Sequence, residues 1–340
     1  MTKVTESNRH YFLFFLVLLA AAVFVDGGRN LARAETAAAP SGGITICVAG
    51  TPGLPVILIH ELGLFAAEGL TVTLKKYSAG SLALDGLLAN ECDFATVGET
   101  PVAVKSFERQ DFSIVATLAT SDDSVRIIAN KERGISRPED LRGKRIFVHK
   151  GTTNHFFLDM YLARNGLSKE TVTVLVKEIG EVADSFVKGD IDAFAATEAN
   201  IAKSRQALGD RAIVFTFPGL CMVSFNLAAM NSMIQGRPAN VRAVLAALLK
   251  AADFLKEKSP ATLKHISVAM GISEGSAAEI VGSYQWDIVL SQALFLSLEQ
   301  EARWAIDTGM AAKARIPNYL NFIHREALES LRPDAVTMLK

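Results

Sequence analysis

The chain is poor in cysteine and has no excess of charge of either sign. Only three of its 340 residues are cysteines (Cys47, Cys92 and Cys221), and an odd number argues against a disulfide framework. A Cys47–Cys92 bond stays open because their strands should be neighbours, but we expect buried free thiols, since a free cysteine behaves as a small apolar residue. Lys and Arg number 35 against 36 for Asp and Glu, so no electrostatic signal favours nucleic acid as a partner.

The sequence also lacks the usual signatures of catalysis and metal binding. It has no Gly-x-Ser-x-Gly elbow, no His-Glu-x-x-His helix, no P-loop and no Gly-x-Gly-x-x-Gly turn after a strand. The cysteine spacings fit no metal site. We therefore expect no catalytic residues, no cofactor and no metal.

One long apolar run is present, at the amino terminus. Lys3 and Arg9 precede residues 11–25, which are apolar without interruption, and small residues follow up to Ala34. These are the parts of a secretory signal peptide, so we expect residues 1–34 to be cleaved off, with residues 37–39 as the second choice of cleavage site. An uncleaved anchor is the alternative, although the run is shorter than the roughly 20 residues that span a bilayer.

From residue 43 onward, predicted strands and helices alternate. The segment 70–101 shows the pattern: a strand, a Ser-Ala-Gly turn, a short apolar helix and a second strand that ends at Gly98. Such alternation predicts an α/β fold with parallel sheets flanked by helices. After residue 227 no strand pattern recurs, and residues 241–331 show helical periodicity, which predicts a helical carboxyl-terminal region.

The pattern divides the chain into two α/β series separated by a charged stretch. The simplest architecture has a first lobe of residues 43–128 plus 222–340, with a predicted strand at 125–128. A second lobe, residues 129–221, is inserted into the first. The chain would cross between the lobes near Asn130 and near Cys221, leaving a cleft, and ligand pockets favour such interfaces.

Polar residues follow several predicted strands of the first lobe, and parallel sheets bind ligands at such strand ends. The first-lobe candidates for ligand contact are Thr51, Ser78, Gly80, Ser81, Gly98, Glu99 and Thr100. Glu99 either receives an amine or hydroxyl of the ligand or is solvated. Ser121, near the expected hinge, is either a cleft contact or part of a solvated turn.

In the second lobe, Gly151, Thr152 and Thr153 precede a predicted helix. Main-chain N–H groups at a helix start favour anionic ligand groups, and the Thr hydroxyls add donors. The alternative is that a Thr simply caps the helix. His155 lies one turn into this helix and could face the cleft.

Several short motifs follow one another in a distinctive order. The first lobe has Gly80, Asp93-Phe94-Ala95 and Pro101, and the second has the sequence PEDLRGKR at residues 138–145 and the sequence DIDA at residues 190–193. In order and spacing these resemble the SsuA/THI5-like (NMT1-type) family of periplasmic solute-binding proteins, which serve ABC importers of sulfonates, taurine and nitrate. The resemblance implies a type II (Venus-flytrap) periplasmic-binding-protein fold. It also implies a ligand contact at Glu198, where many relatives carry Trp-Glu-Pro and this chain has Thr-Glu-Ala.

The resemblance implies a periplasmic protein that closes on a small polar solute and delivers it to an ABC permease. We also expect the protein to be a monomer. Because Glu99 and Glu198 could meet a positive group, a zwitterion such as an aminosulfonate is one expected ligand. Two other functions stay open: a sensing module for a membrane partner, and an enzyme like the pyrimidine synthases of the same family. The enzyme is disfavoured, because their Cys-rich iron motif is absent and the leader directs export.

Overall fold

The computed structural model describes residues 39, 40, 42–176, 182–312 and 315–338. The expected signal peptide, residues 1–34, lies outside the described residues. The strands in the described part are β1 Gly43–Ala49, β2 Thr71–Tyr77, β3 Phe94–Gly98, β4 Phe112–Ser121, β5 Arg126–Asn130, β6 Arg145–Val148, β7 Thr173–Val176, β8 Ala193–Ala196, β9 Ala212–Phe215 and β10 Val223–Met230. The α-helices there are α1 Leu54–Glu61, α2 Leu64–Ala67, α3 Gly80–Leu88, α4 Glu99–Lys105, α5 Thr153–Arg164, α6 Val182–Lys188, α7 Glu198–Leu208, α8 Asn231–Gly236, α9 Pro238–Glu257, α10 Pro260–Met270, α11 Glu274–Gly282, α12 Gln292–Asp307 and α13 Glu326–Leu331. Within these ranges, no helix combines the length and the apolar character needed to cross a membrane.

The first sheet has the strand order β2-β1-β3-β10-β4. Strand β1 is parallel to β2 and β3, but β10 is antiparallel to both of its neighbours. The expectation of parallel sheets was therefore wrong in this respect. Every residue of β10 is buried and six of the eight are apolar, so the sequence pattern does not indicate the direction of the strand.

The second sheet has the order β7-β6-β8-β5-β9 and is also mixed, because β5 is antiparallel to β8 and β9. The predicted place of strand 125–128 in the first lobe is wrong, because this strand pairs in the second sheet. Residues 122–125 connect the first sheet to the second, so β5 belongs to the second sheet. A buried apolar strand fits the interior of either sheet, and only the pairing decides between them.

Two aspartates of the sequence motifs have equivalent structural roles in the two sheets. Asp93 precedes β3, and its Oδ2 accepts a hydrogen bond from Thr45 N–H of β1 at 2.8 Å. Asp192 precedes β8, and its Oδ2 accepts from Arg145 N–H of β6 at 2.9 Å. Each carboxylate holds the start of one strand to its parallel neighbour, so these motif residues support the sheets and lie away from the ligand-facing strand ends.

A disulfide bond joins Cys47 of β1 to Cys92, which precedes β3. Our expectation of free thiols was wrong for this pair, while Cys221 is a free cysteine. Parallel pairing of β1 with β3 places Cys47 opposite Ala95 and brings the two sulfurs together. Such a bond is typical of proteins from oxidising compartments.

Candidate ligand-binding cleft

A cavity of about 160 Å³ lies between the two sheets, where several parallel strands end. Both sheets contribute to its lining, which consists of Ala49, Gly50, Thr51, Pro52, Ser78, Ala79, Gly80, Ser81, Gly98, Pro101, Val125, Thr152, Thr153, Asn154, Thr197, Asn200, Val223 and Phe225. Seven of the candidate ligand contacts are among them: Thr51, Ser78, Gly80, Ser81, Gly98, Thr152 and Thr153. The volume is smaller than the roughly 300 Å³ and more of a pocket for a drug-sized molecule, so the cavity suits a small solute.

On the first-sheet side, the turn between β2 and α3 forms one wall. Gly80 begins α3 and packs tightly on β3, because a Cβ atom built on it would lie 3.3 Å from Val97 Cα. This close approach explains the glycine in the turn. The hydroxyl of Ser81 is buried and has no hydrogen-bond partner in the described structure. A buried hydroxyl without a partner is costly, so a ligand oxygen is a natural acceptor for it.

On the second-sheet side, helices α5 and α7 both begin at the cavity. The hydroxyl of Thr152 donates to His149 O at 2.7 Å and so shapes the turn before α5. Thr153 reaches across the cavity toward the first sheet, where a Cβ atom built on Gly98 would be 2.7 Å from its Oγ1. The two sides of the cavity are therefore in direct contact at this point.

Three helix starts contribute to the electrostatics of the described part of the cavity. None of the described residues that line it has an ionisable side chain. Ala79, Thr152 and Thr197 precede α3, α5 and α7, and none of them caps its helix with a side-chain hydrogen bond. First-turn N–H groups have no partner within a helix and form the positive end of its dipole. The cavity can therefore hold an anionic group by N–H and hydroxyl donors alone.

Part of the lining is apolar. Val125 lies where the chain enters the second sheet, and Val223 and Phe225 lie at the start of β10. All three side chains are nearly inaccessible to solvent. They offer contact to a carbon chain, which would gain about 25 cal/mol for each Å² of apolar surface it buries.

Glu99, which we expected at the cleft, is fully buried outside the cavity lining. Its Oε2 accepts hydrogen bonds from Ser224 N–H at 2.6 Å and from the Ser224 hydroxyl at 3.1 Å. Its carboxyl group lies beside that of Glu301 on α12. Burial raises the pKa of Glu99 to about 7 and the pKa of Glu301 well above the usual range. Glu99 is the first residue of α4, and its side chain turns toward β10, away from the ligand space.

Glu198 also lies outside the lining. It is buried, and its Oε2 accepts from Arg126 Nη1 at 2.7 Å. The same guanidinium contacts Asp123 Oδ2 at 3.1 Å. Glu198 therefore already has a cationic partner, and its place in the family motif corresponds to an ion pair between α7 and β5.

The other predicted contacts outside the lining are Thr100, Ser121, Gly151 and His155. Thr100 and Ser121 are buried, and Ser121 Oγ accepts from Asp123 N–H at 3.3 Å. Gly151 N–H donates to His155 Nδ1 at 3.2 Å. These contacts are internal to the protein. The described residues contain no group of three or more His, Cys, Asp or Glu side chains that could hold a metal ion.

Several lining residues carried no prediction. Asn154 and Thr197 lie at helix starts, so the argument applied to residues 151–153 would also have identified them. Asn200 lies within the first turn of α7. Phe225 could not be identified as a lining residue from the sequence, because packing alone explains an aromatic residue in a buried strand.

A family model described as NMT1/THI5 like matches residues 53–261 of the chain. A Bacillus subtilis (strain 168) protein named for binding aliphatic sulfonates is 29% identical over 164 residues, which cover 47% of this chain and 49% of that protein. The taurine-binding periplasmic protein of Escherichia coli (strain K12) is 28% identical over 129 residues, or 38% of this chain and 40% of that protein. The chain thus spans about half the length, or less, of these two relatives.

Solved structures resemble the chain over most of its length. The alkanesulfonate-binding protein SsuA from Xanthomonas axonopodis pv. citri, bound to MOPS, covers 85% of this chain and 100% of its own, with a TM-score of 0.75 and 18% identity. The periplasmic nitrate-binding protein NrtA from Synechocystis PCC 6803 covers 87% of this chain and 90% of its own, with a TM-score of 0.67 and 12% identity. The chain has the two-lobed fold of periplasmic binding proteins, as the sequence motifs led us to expect.

Proposed function

The chain belongs to the NMT1/THI5-like family, and from this premise we propose that it is the extracytoplasmic substrate-binding component of an ABC importer. The cavity between two sheets supports this role, because two lobes can close on a solute as a hinge closes. The chain crosses between the sheets at residues 122–125 and 216–222. Gly219 N–H donates to Asp122 O at 3.0 Å, so the two crossings lie side by side, as a hinge requires. In this proposal, the protein is a periplasmic monomer that releases its solute to a membrane permease.

We propose that the ligand is a small organic oxyanion with an uncharged tail, such as a short alkanesulfonate. The observation that carries this proposal is a cavity that combines uncapped helix starts and a free Ser81 hydroxyl, with no ionisable side chain among its described lining residues. The donors suit a sulfonate head group, and the apolar wall suits its carbon chain. Two sequence relatives named for aliphatic sulfonates and for taurine support the same head group.

The zwitterionic ligand considered from the sequence has less support. It required Glu99 and Glu198 to meet a positive group, and neither lines the cavity. A ligand ammonium would lose its hydration and find no carboxylate among the described lining residues, which is unfavourable.

Ethanesulfonate and taurine test this choice, because they differ only by an amino group. In isothermal titration of the purified protein, we expect ethanesulfonate to bind and taurine to bind at least about 10-fold more weakly, a difference of roughly 1.4 kcal/mol. Tighter binding of taurine would overturn the choice of an uncharged tail. Absence of heat and of thermal shift across alkanesulfonates, taurine and nitrate would overturn the substrate-binding function itself.

Ser81→Ala tests the cavity directly. The variant removes one hydroxyl donor, and a hydrogen bond to a charged group contributes about 1.5–3 kcal/mol, so affinity should fall roughly 10- to 150-fold. Ser232→Ala is the matched control, because Ser232 is exposed on α8 and far from the lining. Equal affinity of both variants would show that the ligand binds elsewhere.

The two sequence relatives are named as binding proteins. We propose that this chain likewise binds and releases its ligand unchanged. Incubation of ethanesulfonate with the protein, followed by NMR of the solute, should recover it intact. Any conversion product that depends on the protein would contradict the proposal.

A further inference from the structure

Away from the cavity, the two halves of the molecule meet again at four side chains. Trp304 lies on α12, which packs against α4 of the first-sheet half, and its neighbours lie on α5, which packs on the second sheet. Trp304 Nε1–H donates to Asp159 Oδ2 at 2.9 Å. The Trp304 ring also makes edge contacts with the rings of His155 and Phe156, with centroid distances of 5.0 and 5.4 Å. One hydrogen bond and two ring contacts thus join the halves at a single place.

This cluster is continuous with the ligand cavity. His155 Nδ1 accepts from Gly151 N–H at 3.2 Å, and the next residues, 152–154 at the start of α5, line the cavity. Burial lowers the pKa of His155 and so favours the neutral ring, in which Nδ1 can accept. The other nitrogen, Nε2, lies 3.8 Å from Asp159 Oδ2. The same histidine therefore touches both the cavity turn and the carboxylate that holds Trp304.

We propose that Trp304 and Asp159 form a latch that keeps the two halves closed over a bound ligand, with His155 as the positioning residue that connects the latch to the cavity turn. The inference rests on the proposed function. Asp159 keeps 21% of its side chain exposed, so water can replace the bond when the halves separate. The hydrogen bond can therefore break and re-form without leaving a buried group unpaired, while the ring contacts favour the closed form.

The latch predicts faster ligand release when it is weakened. Trp304→Phe keeps an aromatic ring but removes the N–H donor, and Asp159→Asn keeps the shape but removes the charge. For ethanesulfonate, each variant should raise Kd about 10-fold, the lower range for a hydrogen bond to a charged group, chiefly through a faster dissociation rate. Asp253→Asn, an exposed aspartate on α9, is the matched control and should leave the rate unchanged. Unfolding temperatures recorded in parallel separate a latch from a general loss of stability.

A second readout needs no ligand. The chain has two tryptophans, so 5-fluorotryptophan labelling gives two 19F signals, and Trp304→Phe identifies the signal of Trp304. In the ligand-free protein, Asp159→Asn should shift the Trp304 signal and increase its exposure to a soluble relaxation agent, while Asp253→Asn should leave it unchanged. Ethanesulfonate should move the wild-type signal toward the less exposed state.

The outcomes separate the latch from the proposed function. Unchanged dissociation of ethanesulfonate in both latch variants would overturn the latch while leaving ligand binding intact. If no tested solute binds, the proposed function fails. The ligand-free 19F measurement then tests by itself whether Trp304 and Asp159 hold the two halves together. A Trp304 signal that responds to Asp159→Asn supports the contact between the halves, and an unresponsive signal overturns it.

Discussion

Replacement of Gly98 by alanine should weaken ligand binding while leaving the fold intact. Gly98 has a φ of −74°, which any residue adopts, so alanine introduces no backbone strain. A methyl group at this position would lie 2.7 Å from Thr153 Oγ1, closer than such atoms normally approach. Its next neighbours, Pro101 Cδ at 3.8 Å and Ser224 O at 4.0 Å, are at ordinary contact distance. The overlap is therefore directed at the opposite side of the cavity and opposes closure.

The magnitude follows from the cost of one extra methyl group in a packed contact. Overpacking typically costs about 1–3 kcal/mol, and each 1.4 kcal/mol changes an equilibrium constant tenfold. The affinity for ethanesulfonate should thus fall about 5- to 140-fold. Thr153 can relieve the overlap only by changing its χ1 rotamer or by moving away with its side of the cavity, because Oγ1 is attached directly to Cβ.

Isothermal titration of Gly98→Ala, Thr153→Ala and the double variant completes the test. Thr153→Ala removes the atom that the new methyl group meets, so Gly98→Ala should cost far less in that background. The free energy of unfolding of Gly98→Ala should match that of the wild type. Wild-type affinity in Gly98→Ala, or an equal loss in both backgrounds, would refute the contact between Gly98 and Thr153 as the cause.

Two further predictions concern stability. Because burial raises the pKa of Glu99 from 4.5 to about 7, the folded state holds its proton more tightly than the unfolded state does. This contribution is complete below about pH 4.5 and is lost as the pH rises through about 7. Denaturant unfolding at a series of pH values should show the decline, and Glu301→Gln should make it shallower; an identical pH profile would contradict the buried acid pair. Replacement of both Cys47 and Cys92 by alanine should lower the free energy of unfolding by about 2–4 kcal/mol. A reductant should destabilise the wild type by a similar amount and leave the double variant unchanged, and insensitivity of the wild type would count against the disulfide.

Much of the fold was predictable from local patterns. The predicted helical region 241–331 corresponds to the helices α9 to α13 of the described structure, since apolar periodicity and Gly or Pro punctuation are local signals. The polar turns after β1 and β2 were also predictable as part of the site. They line the cavity because parallel strand ends share one edge of a sheet.

The candidate site was predictable only in part. Thr152 and Thr153 were identified from a helix start, and both line the cavity. Glu99 and Glu198, which we predicted as ligand contacts, are not among the described residues that line the cavity. The sequence places each carboxyl near a strand end, but the direction of the side chain depends on the tertiary structure. For Glu99 the partner is Ser224, which is 125 residues away along the chain.

The sequence by itself determined the alternation of strands and helices, the turns that end the strands and the family, because these depend on neighbouring residues and on short motifs. Tertiary structure alone decided the antiparallel entry of β10, the Cys47–Cys92 bond and the burial of Glu99 beside Glu301. Each of these depends on contacts between residues far apart in the chain, and the free energy that selects among such contacts comes from packing and burial. The absence of ionisable side chains from the described cavity lining, which decides the kind of ligand proposed, is a result of the same long-range packing.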